Sequence, residues 1–83
     1  MLFTACHLYL ERIDAARNMA RFYRLTVEPT LFGEVALVRE WGRIGGAGRR
    51  MSLPFESERE AVAALLGTAS AKRARGYRPR HSP

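Results

Sequence analysis

The most informative stretch of the sequence is Arg39-Glu40-Trp41-Gly42-Arg43-Ile44-Gly45-Gly46-Ala47-Gly48. It places the only tryptophan between two arginines at alternating positions and then enters a glycine-rich turn. Because every second side chain of a strand shares a face, Arg39, Trp41 and Arg43 lie together if this segment is extended. A flat aromatic between two planar cations suits stacking on a sugar or base and pairing with phosphate. The glycines allow a ligand to approach the backbone closely.

The same residues also fit a purely structural interpretation. Tryptophan often serves packing, and Ile44-Gly45-Gly46 is ordinary hairpin chemistry. From this segment alone, both a β-hairpin and a nucleic-acid surface remain open.

Size and composition describe one small folded domain. The 83 residues are 47% hydrophobic and 27% charged, which argues against global disorder. The net charge of +6 and the pI near 10.7 indicate an anionic partner, nucleic acid before membrane. The surplus is concentrated in residues 71–83, which hold five cations and no acid, and residues 41–55 contain three arginines without a carboxylate.

The cysteine and hydropathy patterns exclude several classes of protein. Cys6 is alone, which excludes an internal disulfide and a cysteine metal site and fits a cytoplasmic setting. No run approaches the roughly 20 apolar residues of a membrane span, so no membrane partner is expected.

Strand patterns fill the first two thirds of the chain. Residues 2–10 alternate loosely and predict a strand, and for Glu11–Arg17 we favour a loop over a helical turn. Further strands are predicted at Arg21–Glu28, Glu34–Arg43 and Arg49–Phe55. In the first of these, Tyr23, Leu25 and Val27 share one face. Pro54 cannot donate to a ladder, so it is expected at an edge position or near the end of its strand.

A helix follows, because the period changes from two to about 3.6. Ser57 begins a capping box, in which Glu60 is expected to reach back to the backbone amide of Ser57. Gly67 costs about 1 kcal/mol relative to alanine, so the helix depends on packing. It is expected to end between Lys72 and Gly76, with Gly76 as a left-handed cap.

These elements predict an α+β fold, an antiparallel sheet of four to five strands packed on one C-terminal helix. One face of the sheet is then covered, and the other is expected to be free for binding. We predict a single domain over residues 1–78 and a basic, flexible tail over 79–83, with fraying from Arg78 onward.

The sequence offers little for catalysis, so no enzyme activity, metal or cofactor is predicted. The carboxylates are scattered, and neither His7 nor His81 has a second ligand at metal spacing. The turn at Gly45–Gly48 lacks the following Gly-Lys-Ser/Thr of a phosphate loop. What remains is a group of cations around the aromatic and glycine-rich turn, each of which is otherwise an ordinary solvated charge. They are Arg21, Arg39, Arg43, Arg49 and Arg50.

An ordered set of motifs resembles the WGR domain, a module of DNA-dependent poly(ADP-ribose) polymerases and of small bacterial proteins. The resemblance covers about residues 3–78. Its motifs are Asn18–Leu25, Thr30–Gly33, Leu37–Arg43, Phe55–Ser57 followed by Glu60-Ala61, and Lys72 with Gly76-Tyr77.

The resemblance implies a compact sheet packed on one helix, and nucleic-acid binding with DNA preferred over RNA, at ends or single strands. It implies that Trp41 is a stacking platform and that Arg43 contacts the nucleic-acid backbone or another domain. It also implies that Asn18 and Arg21 approach a terminal phosphate. Gly42, Gly45 and Gly48 would allow the close approach. A protein-interaction module that uses the Trp41 face as an aromatic hot spot is the alternative.

Overall fold

The computed structural model of the protein describes residues 6–80 as a five-stranded antiparallel sheet with one α-helix on one face. The strand order is β4-β3-β2-β1-β5, and the predicted α+β class is confirmed. The elements are β1 (Cys6–Asp14), β2 (Met19–Pro29), β3 (Val35–Arg43), β4 (Arg49–Phe55), α1 (Glu58–Ala74) and β5 (Arg78–Pro79). Within the described residues, no helix is long and apolar enough to cross a membrane.

The core lies between α1 and the inner strands of the sheet. The β1–β2, β2–β3 and β3–β4 registers run without a bulge, so directly paired residues point to the same face. Tyr23, Leu25 and Val27 share the buried face, as the sequence predicts, and Leu37 extends it on β3. On α1 the contacts come from small side chains and one leucine, which let the helix lie close to the sheet. These residues are Ala61, Leu65 and Ala69.

The helix begins and ends where the sequence predicts. The amide of Glu60 donates to Ser57 Oγ at 3.2 Å, which forms the expected N-cap. The return bond differs from the prediction, because Ser57 Oγ donates to Glu60 Oε1 at 3.4 Å and the Glu60 carboxylate thus meets the hydroxyl rather than the amide.

The C-terminal end of α1 is a Schellman motif. Gly76 has φ +99°, the amide of Tyr77 donates to Lys72 O at 3.1 Å, and the amide of Gly76 donates to Arg73 O at 3.0 Å. The motif turns the chain back toward the sheet and buries Tyr77 against Tyr23.

Two expectations about the extent of the strands are wrong. The predicted loop at Glu11–Arg17 is strand as far as Asp14, because Glu11–Asp14 pair with Met19–Phe22, and only Ala15–Arg17 form a single 3₁₀ turn. Residues 2–5 of the first predicted strand lie outside the described residues.

The second wrong expectation is the fraying predicted from Arg78 onward. Arg78–Pro79 pair with β1, and the amide of Arg80 donates to Tyr9 O at 3.1 Å. Residues 81–83 lie outside the described residues, so a flexible tail there stays a prediction. Pro54 lies on β4, which is an edge strand as predicted.

Candidate nucleic-acid interface

The alternating residues Arg39, Trp41 and Arg43 share one face of β3, but it is the face that carries the helix. They follow Leu37 in the same alternation, and Leu37 packs in the core beneath α1. The expectation that the binding residues occupy the helix-free face is therefore wrong. The helix runs beside Tyr23 only as far as its C-terminal turn, which leaves Trp41 half-buried and Arg43 exposed.

Trp41 belongs partly to the core and partly to the surface. Its ring stacks on Tyr23 with centroids 5.9 Å apart and planes inclined by 17°. Tyr23 in turn meets the ring of Tyr77 edge-on at 6.1 Å. The partial exposure predicted for Trp41 is confirmed, and so is part of the packing interpretation, because one side of the indole is used by the fold.

A cleft of about 280 Å³ opens beside Trp41. It brings together four residues singled out in the sequence, from β2 and β3, and adds one from the segment after α1. The lining residues are Arg21, Trp41, Gly42, Arg43 and Tyr77. The chemistry of the cleft is thus cationic and aromatic.

Three arginines form a row across the sheet at this cleft. Arg21 is the direct cross-strand partner of Arg43 on one side and of Arg12 on the other. Like charges directly opposite each other destabilise a sheet. The negative end of the α1 dipole offsets part of this repulsion near Arg12, whose side chain passes close to Gly76. None of the three forms an ion pair within the described residues.

Asn18 reaches the same region through its backbone. It adopts a left-handed conformation (φ 51°) in the turn between β1 and β2, and its carbonyl accepts a hydrogen bond from Arg43 Nη1 at 3.3 Å. The contact orients the Arg43 guanidinium at the rim of the cleft.

Two cations lie over the aromatic rings beside the cleft. Arg39 lies over Tyr23 and Trp41, and Lys72 lies over Tyr23 and Tyr77. Arg39 Nε donates to Tyr23 Oη at 2.7 Å, and its guanidinium carbon lies 5.8 Å from the Trp41 ring centroid. Lys72 Nζ lies 4.5 Å from the Tyr23 ring centroid. Burial lowers the pKa of Lys72, and repulsion from Arg75, Arg39 and Arg21 lowers it further. The local field is therefore strongly positive.

Three glutamates of the strands lie on the face of the sheet that does not carry the helix. Glu11, Glu28 and Glu40 alternate with the core residues of their strands, and each forms an ion pair with an arginine there. Arg50 is one of these partners, at 3.6 Å from Glu28. The structure thus separates Arg50 from the cleft, whereas Arg49 is the cross-strand partner of Trp41.

Gly42 and Gly48 serve the fold of the β3–β4 turn. A Cβ at Gly42 would lie 2.7 Å from Gly48 Cα, and one at Gly48 would lie 2.6 Å from the Trp41 carbonyl oxygen. Gly45 has room for a side chain, since a Cβ there would meet nothing within 4 Å. Only its φ of +90° favours glycine at this position. Close approach of a ligand to these glycines stays a prediction.

Sequence reasoning misses Arg12 and Tyr77 as site residues. Arg12 reaches the row only through the β1–β2 register, which a single sequence does not reveal. Tyr77 carries a usable signal, because the residue after a left-handed helix cap commonly folds back onto the helix.

The chain is similar in sequence to a known protein family and to a bacterial protein. A family model of the WGR domain matches residues 6–83. The chain is 52% identical over 75 residues to the uncharacterized protein y4dW of Sinorhizobium fredii; the match covers 90% of this chain and 37% of that relative, so the chain spans little more than a third of its length. No solved structure matches the chain. The WGR domain is a family linked to nucleic-acid binding. This chain belongs to the WGR domain family.

Proposed function

We propose that this chain binds DNA, at ends or as single strands, through the cleft beside Trp41. Membership of a family linked to nucleic-acid binding supports the class of ligand. The observation that carries the proposal is the row Arg12–Arg21–Arg43 next to a partly exposed tryptophan.

The arginine row favours a phosphate ligand. Three guanidinium groups at adjacent cross-strand positions repel one another, and none of them forms an ion pair with a carboxylate of the described residues. A phosphate bound between them would convert this repulsion into charge-assisted hydrogen bonds.

Trp41 adds the non-electrostatic part of the site. Because Tyr23 covers one side of the indole, the exposed remainder borders the cleft and is available to a sugar or base. Such stacking contributes about 1–3 kcal/mol per base and is tolerant of sequence.

The size of the cleft favours ends and single strands over the interior of a duplex. A volume of about 280 Å³ suits one nucleotide-sized group. An unstacked nucleotide is offered by a terminus or a single strand, but not within an intact double helix. The preference for DNA over RNA rests on the resemblance to the module of DNA-dependent poly(ADP-ribose) polymerases.

Fluorescence anisotropy with a panel of labelled ligands tests the proposal. The panel holds blunt, overhanging and 5′-phosphorylated duplexes, single-stranded DNA, RNA of the same sequence, and a closed circular duplex that has no ends. We expect the single strand, or the duplexes with accessible ends, to bind more tightly than a closed circular duplex, and DNA more tightly than RNA.

A pair of variants on one strand links binding to the cleft. Arg21→Gln removes a charge from the row, whereas Arg24→Gln removes one from the opposite face, where Arg24 pairs with Glu40 at 3.9 Å. We expect only Arg21→Gln to weaken binding. Equal effects of both variants, or an affinity independent of salt, would contradict the proposal and favour a protein ligand.

A further inference from the structure

A second concave surface lies beside the cleft, between α1 and β3. It is a groove of about 480 Å³ lined by Arg39 on β3, by Arg75 at the C-cap of the helix, and on α1 by Ala64, Gly67, Thr68, Ala71 and Lys72. Its volume is within the range of about 300–1,000 Å³ that small-molecule sites occupy, which is room for a nucleotide-sized group.

The groove carries its own uncompensated cations. Within the described residues, Arg39, Lys72 and Arg75 form no ion pair. The lowered pKa of Lys72 reflects the same condition, because its causes are burial and neighbouring arginines. An anion placed here would relieve the repulsion among the three side chains.

Gly67 makes the groove deeper, although the fold does not require a glycine at this position. Glycine within a helix is less favourable than alanine. A Cβ at Gly67 would meet no atom of the protein within 4 Å, so internal packing gives no reason for the residue. A ligand that lies close to the helix backbone does give one.

The groove and the cleft adjoin at two side chains. Arg39 lines the groove and lies 5.8 Å from the ring centroid of Trp41 in the cleft. Lys72 also lines the groove, and its ammonium lies 5.7 Å from the ring centroid of Tyr77, which lines the cleft. A chain of nucleotides can therefore pass from one surface to the other over a continuous cationic boundary.

We propose that the groove binds the sugar–phosphate backbone that follows the nucleotide held at Trp41, so that single-stranded DNA of several nucleotides runs from the cleft along α1. This inference rests on the proposed function and assigns to Arg39, Lys72 and Arg75 the phosphates beyond the first. Gly67, Ala64 and Thr68 form the surface on which the backbone lies.

The test uses an oligothymidylate of about ten nucleotides, a length within the range of known single-strand sites. Its affinity and salt dependence are measured for the wild type and for the double variant Lys72→Gln/Arg75→Gln. Quenching of Trp41 fluorescence reports occupancy of the cleft separately. Loss of one phosphate contact lowers the slope of log affinity against log salt by about 0.7, equivalent to roughly eight-fold weaker binding at about 50 mM salt. The double variant loses two contacts, so we expect a slope lower by about 1.4 and roughly sixty-fold weaker binding.

Two further variants make the test independent of folding and of net charge. Gly67→Leu fills the groove with a better helix former, so we expect an undiminished melting temperature and weaker binding of the strand. Arg59→Gln removes one charge from the first turn of α1, about 20 Å along the axis from Lys72, and we expect a salt slope like that of the wild type.

The outcomes separate the inference from the function beneath it. Weaker binding by the double variant and by Gly67→Leu, with Trp41 quenching at saturation preserved, supports the groove. If the wild-type strand binds and quenches Trp41 but these variants behave like Arg59→Gln, the groove inference is overturned and the proposed function stands. If the wild type binds neither the strand nor a duplex with accessible ends, both are overturned. If it binds only such a duplex and that duplex quenches Trp41, the groove inference alone is overturned.

The sole lysine provides an independent readout in the wild-type protein. Lys72 is the only lysine of the chain, so reductive methylation with ¹³C labels one side chain besides the α-amino group and retains its charge. A phosphate beside Lys72 favours the charged form, so the oligothymidylate should raise the pKa of the labelled amine in an NMR titration. An unchanged pKa with Trp41 quenched would exclude Lys72 from the path of the strand.

Discussion

Trp41 has two environments at once, and this governs how its variants behave. One side of the indole stacks on Tyr23, in contact with the core, while the rest borders the cleft. Removal of the ring therefore affects both stability and binding, and the two effects have to be measured on the same variant.

We expect Trp41→Ala to weaken DNA binding by about ten- to a hundred-fold at fixed salt, because base or sugar stacking contributes about 1–3 kcal/mol. Anisotropy measures the affinity, and thermal unfolding measures the accompanying loss of stability. That loss should be smaller than the roughly 3–5 kcal/mol of a fully buried aromatic, since Trp41 is only half-buried.

Trp41→Phe is the matched control, because it keeps an aromatic partner for Tyr23 and a smaller stacking surface. It should lie between the wild type and Trp41→Ala in affinity. A folded Trp41→Ala protein with wild-type affinity would refute the assignment of Trp41 to the site.

The glycine-rich turn yields a second prediction at the scale of single residues. Gly48→Ala should lower the free energy of unfolding by about 1–3 kcal/mol, because φ is +71° and the new Cβ would meet the Trp41 carbonyl oxygen. Urea denaturation measures the change. Gly67→Ala, in open space on α1, should instead raise the free energy of unfolding by about 1 kcal/mol. An unchanged or raised free energy of unfolding for Gly48→Ala would show that the turn geometry is not the reason for Gly48.

At the scale of elements, β4 presents neighbouring arginines to opposite faces. Arg49 is the cross-strand partner of Trp41, whereas Arg50 pairs with Glu28 on the other face. The sequence alone assigns both to the same surface, because each flanks the same turn.

We expect Arg49→Gln to weaken single-strand binding and to reduce the salt slope by about 0.7, the value for one phosphate. Arg50→Gln removes the same charge one residue away and should leave the slope unchanged. Salt-dependent anisotropy on both variants makes the comparison. Equal slopes for the two would contradict the assignment of the site to the helix-bearing face.

The elements that sequence patterns predict well are those with local signals. The bounds of β3, β4 and α1 agree to within one residue, because alternation, the glycine turn and the capping box at Ser57 are all short-range features. The sequence pattern does not predict strand at Glu11–Asp14 and Arg78–Pro79, because these segments are polar and are held in the sheet by pairing with distant residues. No local pattern records such pairing.

At the scale of the whole molecule, the charge is divided between two faces. The sequence shows a net charge of +6 but not its separation. Cross-strand register places Arg12, Arg21 and Arg43 in one row on the helix-bearing face, while Glu11, Glu28 and Glu40 pair with arginines on the other. The alternation from Leu37 to Arg43 does identify the face of Trp41, but the uncovered end of that face depends on where α1 comes to lie.

Trp41 fluorescence gives the most direct measurement of the central claim, because Trp41 is the only tryptophan. Single-stranded DNA is titrated into the wild-type protein at several salt concentrations, and quenching is followed to saturation. Stacking at the cleft with at least two phosphate contacts predicts saturable quenching whose log affinity falls with log salt at a slope of about 1.4 or steeper. Binding by anisotropy with unchanged Trp41 emission, or quenching that salt does not weaken, would contradict the account.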